Sequence, residues 1–201
     1  MPALPAPIAQ SWAALRFLIV ATVLCGLAYP LVVTGVGQLA FRPAANGSLI
    51  EDDGRIVGSS LIGQSFTDAD GNALPEYFQS RPSAAGDGYD PLASSASNLS
   101  VANPDFLKAV SDRRAAVAEL DGVAPADVPK DAVLASGSGL DPHISPEYAD
   151  EQIARVARAR GLSVATVTKL VEEHTQGRSL GFVGEPRVNV LELNDALDAL
   201  T

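Results

Sequence analysis

Cysteine occurs once in the 201 residues (Cys25), as does tryptophan (Trp12), and histidine only twice (His143, His174). One cysteine excludes a disulfide framework and any cysteine-based zinc cluster. Two histidines 31 positions apart, with no cysteine beside them, leave no ligand set at metal-binding spacing. Basic residues are also scarce: 14 Lys and Arg stand against 24 Asp and Glu, a formal charge of −10. That balance argues against nucleic acid, whose phosphates need basic patches. No Gly-rich loop is followed by a phosphate-binding Lys. Internal repeats are absent too.

Charge itself is missing from one stretch. Residues 17–41, FLIVATVLCGLAYPLVVTGVGQLAF, contain no charged residue and are bracketed by Arg16 and Arg42. As a helix the 25 residues span about 37 Å, against a hydrocarbon core of about 30 Å. A signal peptide has an apolar core of only about 7–15 residues before its cleavage site, so the run reads as an uncleaved anchor. Pro30 at mid-span predicts a kink, or a partner for the carbonyl it frees. Gly26, Gly35 and Gly37 leave room for a neighbouring helix, but GxxxG spacing is lacking. Cys25 reads as a small apolar residue of the span.

Residues 1–16 carry Arg16 and no acid, whereas residues 43–201 hold 12 basic and all 24 acidic residues, a net −12. The short N-terminus is easiest to keep in the cytoplasm. The expected plan is therefore a cytoplasmic N-terminus (1–16), a transmembrane helix (17–41), a tether (42–54) and an extracytoplasmic domain (55–201). The helix is expected to sit in contact with membrane lipid.

The external part alternates irregularly, predicting an α+β (mixed α/β) fold. Residues 55–62 and 65–66 lean towards strand, and DADGN at 68–72 is a turn. Residues 80–103 have no period and read as a long surface loop, the kind that carries recognition. Asn103-Pro104-Asp105 opens a helix ending near Gly122, with Leu107, Val110, Arg114, Val117 and Leu120 on its stripe. Ser145-Pro146 and Ser163 open two more helices, joined at Gly161 as an αα-hairpin, the second ending near Gly177. Residues 184–194 alternate as a strand, and Asn194 starts a final helix. Arg155, Arg158 and Arg160 read as solvated faces, the Glu185–Arg187 pair as structural, and His174 as a last-turn residue favoured by the helix dipole.

The segment richest in chemistry is SGSGLDPHISP, 136–146. It holds Ser138, Asp141, His143 and Ser145, but triad members converge from separate elements, and Gly137-Ser138-Gly139 lacks nucleophile-elbow spacing. A Gly-rich turn into a capped helix, or an interface built on it, fits better. A tethered hydrolase using Ser138 or Ser145 with His143 and Asp141, and a solitary anchored binding protein, are the two alternatives. The interface candidates are Arg81, Pro82, Ser83, Asn98, Ser138, Asp141 and His143, from the long loop and this segment. No catalytic or metal residue is assigned, and cofactor-binding residues are unknown.

Several segments together carry a family likeness: Ser60-Leu61-Ile62-Gly63-Gln64 with Phe66; Tyr77-Phe78-Gln79-Ser80-Arg81-Pro82-Ser83-Ala84; Ser97-Asn98-Leu99 with Asn103-Pro104; SGSGLDPHISP; Arg155-Val156-Ala157 with Arg160-Gly161-Leu162; and Gly184-Glu185-Pro186-Arg187-Val188-Asn189-Val190-Leu191. In this order, behind one N-terminal span, they resemble the C subunit of the bacterial high-affinity Kdp potassium-transporting ATPase. Leu134 departs from the Thr expected there in many relatives. The resemblance implies an accessory subunit of a potassium import complex, working with a channel-like A subunit, a P-type ATPase B subunit and a small F subunit. It implies a catalytic chaperone that raises the ATP affinity of the B subunit, with no catalysis and no cofactor of its own; ATP would be met only through the catalytic subunit. An external domain cannot touch cytosolic ATP, so the effect would cross the membrane as coupling between two states. Direct contact with nucleotide would require the opposite topology or an unusual arrangement. The acidic domain is expected to dock on the A subunit near the potassium entrance, raising cation concentration over a screening length of about 8 Å.

Overall fold

A computed structural model describes residues 5–52 and 54–200. The chain divides into two units, Met1–Ser48 and Leu49–Thr201. The first is a continuous helical run, Ala6–Ala40, of 35 residues, long and apolar enough to cross a membrane and with no residue buried. It comprises α1 (Ala6–Ala21), a π-helical segment (Thr22–Ala28) and α2 (Tyr29–Ala40). The helix begins before the charge-free run, because Arg16 is no helix breaker. Its Nε donates to Trp12 O (3.3 Å), and its guanidinium lies 5.9 Å from the Trp12 ring centre.

Pro30 explains the π segment. Proline offers no N–H and its ring crowds the carbonyl four residues back. The helix widens just before it, so that Tyr29 N–H donates to Leu24 O, five residues back. The expected tether is partly folded. α3 (Arg42–Ala45) is one helical turn, and Gln38 and Asn46 exchange amide hydrogen bonds, each 3.1 Å.

The second unit is mixed helix and strand. β1 (Leu49–Asp52) and β2 (Arg55–Ser59) form an antiparallel hairpin, taking up residues expected in the tether. Residues 60–103 contain no regular strand or helix. Asp68 organises the expected turn: Oδ1 accepts from Asp70 N (2.9 Å) and Asn72 N (2.8 Å), Oδ2 from Asn72 Nδ2 (3.0 Å). α4 (Pro104–Asp121) starts at Asn103, whose side chain accepts from Asp105 N and Phe106 N, and ends at Gly122 in the left-handed region (φ 73°). Leu107, counted in its apolar stripe, lies exposed one turn short of the core. α5 (Lys130–Val133) precedes β3 (His143–Ile144).

α6 (Pro146–Arg160) and α7 (Val164–His174) form the αα-hairpin, capped by Ser145 and Ser163. α7 stops at His174, whose Nδ1 lies 2.8 Å from Leu170 O, and β4 (Thr175–Gln176) follows. β5 (Arg187–Asn189) pairs antiparallel with both β3 and β4, giving the order β3-β5-β4. The strand expected over 184–194 is cut short because Asn189, not Asn194, is the cap. Its side chain accepts from Leu191 N and Glu192 N, opening α8 (Val190–Asp198). Val190, Leu193 and Leu197 then recur at helical spacing into a core shared with Ile153, Val156, Val167, Val171 and Val188.

In the irregular stretch 74–79, Phe78 and Gln79 are buried against this core, and their peptide groups are paired by side chains. Asn194 accepts from Phe78 N (2.9 Å) and donates to Phe78 O (3.0 Å). Gln152 does the same for Gln79 N (2.6 Å) and O (3.2 Å). Arg155, expected on a solvated face, is only 4% exposed. It pairs with Asp121 and donates to Pro75 O (2.6 Å), Tyr77 O (2.8 Å) and Gln152 Oε1 (2.7 Å). Breaking such a pair from one side costs about 3–5 kcal/mol, because the other charge stays buried. Arg160 donates to Glu76 O (2.9 Å), pairs with Asp198 (2.6 Å) and stacks 4.6 Å over Tyr77. Arg158 alone of the three arginines is exposed. Glu185 pairs with Arg178, which leaves Arg187 outside that pair, contrary to the sequence-based pairing.

Glu151 completes this network. Burial first, then the charges of Asp121, Asp127 and Asp131, push its carboxyl up to about 7. Asp121 Oδ2 and Glu151 Oε1 are both buried without a partner, and a protonated Glu151 supplies the proton they can share. Because the folded value lies above the unfolded one, this stabilisation is complete below about pH 4.5 and lost as pH rises through 7. Thermal unfolding of the detergent-solubilised chain is expected to show a midpoint that falls between pH 5 and pH 8. Glu151→Gln should flatten that fall; a variant keeping the full slope contradicts the assignment.

Candidate functional site

Residues 81–95 and 134–145 meet as two loops, and the side chains that join them are the ones the sequence singled out. Arg81 Nη1 lies 3.1 Å from Asp141 Oδ2, while its Nε and Nη2 both donate to Leu134 O (3.3 Å each). The Leu134 contact uses a carbonyl, so the departure from Thr at that position does not alter it. Ser83 Oγ donates to Gly139 O (2.7 Å) and accepts from Ala85 N (3.1 Å) and Tyr89 N (2.9 Å). Ser138 O receives Ser95 N and Ser94 Oγ, each at 2.9 Å.

Two glycines permit this approach. Gly139 has φ 69°, and a Cβ there would sit 2.6 Å from Ser95 O and 2.8 Å from Ala85 N. At Gly63 a Cβ would lie 2.5 Å from the Tyr89 ring and 2.7 Å from Asp141 O. Tyr89, itself at φ 56°, donates its hydroxyl to Arg81 O (2.8 Å). Burial pushes that hydroxyl up to about 12, so it remains a donor at any physiological pH.

Asp141 is the electrostatic centre. Burial alone would raise its pKa, but hydrogen bonds from the His143 side chain and backbone, with the Arg81 charge, together bring it below the usual carboxylate value. His143 Nδ1 lies 3.2 Å from Asp141 Oδ1, and His143 N donates to the same oxygen (3.0 Å). A shallow cleft of about 380 Å³ opens beside this pair, lined by Arg81, Lys130, Asp131, His143 and Arg187.

The serines are committed elsewhere. Ser145 Oγ donates to Asp131 Oδ1 (2.9 Å) while accepting from Tyr148 N. Ser138 Oγ accepts from Leu140 N (3.1 Å) and faces Ser136 Oγ at 3.5 Å. Among the described residues no serine hydroxyl is hydrogen-bonded to His143, so the Ser–His–Asp alternative has no geometry behind it. Nor do the described residues gather three metal-ligating side chains in one place.

Of the seven candidates, Arg81, Ser83, Ser138, Asp141 and His143 come together, with Pro82 between the first two. Asn98 stays apart on an exposed stretch at φ 50°, its amide donating to Ala96 O (3.2 Å). Sequence reasoning missed Asp131, which takes both Ser145 N and Oγ, and Gly63, whose N–H donates to Leu140 O (2.9 Å). Asp131 sat in a Pro-interrupted connector. Its position 14 residues before the cap it supports is no local signal.

The family model for the K+-transporting ATPase c chain, KdpC, matches residues 11–199. A Kineococcus radiotolerans protein named potassium-transporting ATPase KdpC subunit is 60% identical, over 94% of this chain and 92% of its own. Proteins of the same name from Mycobacterium tuberculosis and Streptomyces avermitilis are 54% and 52% identical, covering 93% and 94% of this chain and 96% and 93% of their own.

Gly139→Ala forces the two loops apart, since backbone atoms on the facing loop cannot yield as a flexible side chain would. Limited proteolysis of the detergent-solubilised chain should then cut within residues 86–98 at least tenfold faster than in the unaltered chain. An unchanged cleavage rate contradicts the docking described here.

Proposed function

Because the chain belongs to the family of K+-transporting ATPase c chains, KdpC, we propose that it is an accessory subunit of an ATP-driven potassium import complex and catalyses nothing itself. The observation that carries this is the family match across residues 11–199, which takes in both the apolar helix and the folded domain. The geometry agrees with it. The charged and polar side chains of the two loops are spent on each other, building a fixed surface instead of a reacting centre.

The finer reading follows from the topology argument. The helix Ala6–Ala40 crosses the inner membrane once, and residues 49–201 stand outside. They dock on the channel-like A subunit near the potassium entrance, with the P-type B subunit and the small F subunit completing the complex. The loops around Arg81, Ser83, Asp141 and His143 form part of the docking face, and the excess of acid in this domain favours cations nearby. A catalytic-chaperone effect on ATP affinity in the B subunit then operates through the membrane, by favouring one of two states of the complex.

Purification of the tagged chain in mild detergent from potassium-starved cells, with mass spectrometry of the proteins recovered, tests this. Stoichiometric recovery of a P-type ATPase and a channel-like subunit is the expected result. Recovery of the folded chain alone would overturn it and favour a solitary anchored binding protein.

A further inference from the structure

A hollow of about 720 Å³ lies between residues 65–89 and α4, with Ala132 and Tyr148 also on its lining. That volume falls in the range of small-molecule sites, about 300–1,000 Å³. Phe66, Pro82, Val117 and Leu120 give it an apolar wall. Three polar side chains on the lining have hydrogen-bonding capacity left over. Tyr148 is 2% exposed, and its hydroxyl makes no hydrogen bond among the described residues, although its N–H donates to Ser145 Oγ and its carbonyl accepts from Gln152 Nε2. Burial pushes that hydroxyl well above the ordinary tyrosine value, so it stays a donor. Gln79 is 9% exposed. Its Nε2 is spent on the carbonyls of Phe66, Leu74 and Tyr77, which fixes the orientation of the amide and leaves Oε1 without a donor among the described residues. Arg113, half-buried, donates from Nη1 to Val133 O (3.3 Å) and pairs with no acid among the described residues. Arg81, the other cation on the lining, is already held by Asp141 and Leu134 O. Buried polar groups without partners cost free energy and are rare in folded proteins, so a donor and an acceptor left over on one cavity call for an occupant.

We infer that this hollow is a binding site for a small aliphatic carboxylate with an N–H beside the acid group, the chemistry of an N-acylated aliphatic amino acid. Each part of such a ligand answers a group on the lining. The carboxylate accepts from Arg113 and from the Tyr148 hydroxyl, both of which can only serve it as donors. The neighbouring N–H donates to Gln79 Oε1. The aliphatic body packs on Phe66, Val117 and Leu120, where apolar burial supplies the affinity. Other classes fit worse. A purely apolar ligand would bury the three polar groups while leaving them unpaired. A free amine would set an ammonium beside Arg113, a like charge in a partly desolvated place. The acid on the lining, Glu119, is exposed, so it does not offset Arg113 within the hollow.

The test uses the full chain in lipid nanodiscs, with N-acetyl-L-leucine as the probe and saturation-transfer NMR as the readout, empty nanodiscs serving as the blank. Transfer to the leucine methyl groups is expected with the unaltered chain and not with the blank. Tyr148→Phe and Arg113→Gln should each weaken the apparent Kd at least fivefold, and N-acetyl-L-leucinamide, which lacks the carboxylate, should show the same loss against the unaltered chain. Tyr148→Phe also separates binding from folding: its hydroxyl has no partner in the chain to lose, so the thermal midpoint without probe is expected not to fall. No transfer beyond the blank, equal affinity for the acid and the amide, or variants that bind as tightly as the unaltered chain would overturn the inference. A lowered midpoint in Tyr148→Phe would overturn it too, because the hydroxyl would then be satisfied within the fold. None of these outcomes bears on the accessory-subunit reading.

Discussion

Two side-chain amides stand in for a missing strand. Phe78 and Gln79 are buried in an irregular stretch with no sheet neighbour, yet their peptide groups are paired on both sides, by Asn194 and Gln152 respectively. A buried peptide group left unpaired costs about 1–3 kcal/mol, so four such groups rival the net stability of many domains. The arrangement depends on α6 and α8, which carry Gln152 and Asn194. Arg155 ties it further by reaching Pro75 O, Tyr77 O and Gln152 at once, with Asp121 of α4 balancing its charge.

From that fixed segment the rest of the irregular region is built outward. Ser80 donates to Gln64 O (2.8 Å) and Gln79 Nε2 to Phe66 O (3.0 Å), which positions the chain before it. Arg81 and Ser83, immediately after it, reach across to Asp141 and Gly139. Residues 60–103 are therefore irregular but specified, held by side chains and turn hydrogen bonds rather than by a ladder. A domain built this way presents its loops in one shape.

Much of this was legible in the sequence, and the exceptions share a cause. The helix starts at Asn103, Ser145 and Ser163 and the ends at Gly122 and Gly161 are local signals, and all five were read correctly. The apolar run was recognised as one long helix, though the π-helical answer to Pro30 was not foreseen. Asn194 reads as a cap because Asn-Asp before an apolar pair looks like one, whereas Asn189 is the cap, five residues earlier. Arg155 looked solvent-facing because its acid, Asp121, lies 34 residues away. Among the site residues, loop length and glycine content single out the two segments, and five of the seven candidates lie together where those segments meet. The contacts of Arg81 with Leu134 and Asp141, and of Ser83 with Gly139, span 53 to 60 residues and carry no local pattern, and neither does the support from Asp131.

The family membership and the architecture point the same way: a membrane helix, then a domain with polar groups tied into its own loops. The claim on which this depends is that residues 78 and 79 are locked by side chains as firmly as a strand is locked by its neighbour. Amide hydrogen exchange on the full chain in detergent reads this directly. The Phe78 and Gln79 N–H groups should exchange as slowly as the buried amides of α6 and α8. Exchange at the rate of the exposed turn at 68–72 would contradict the account.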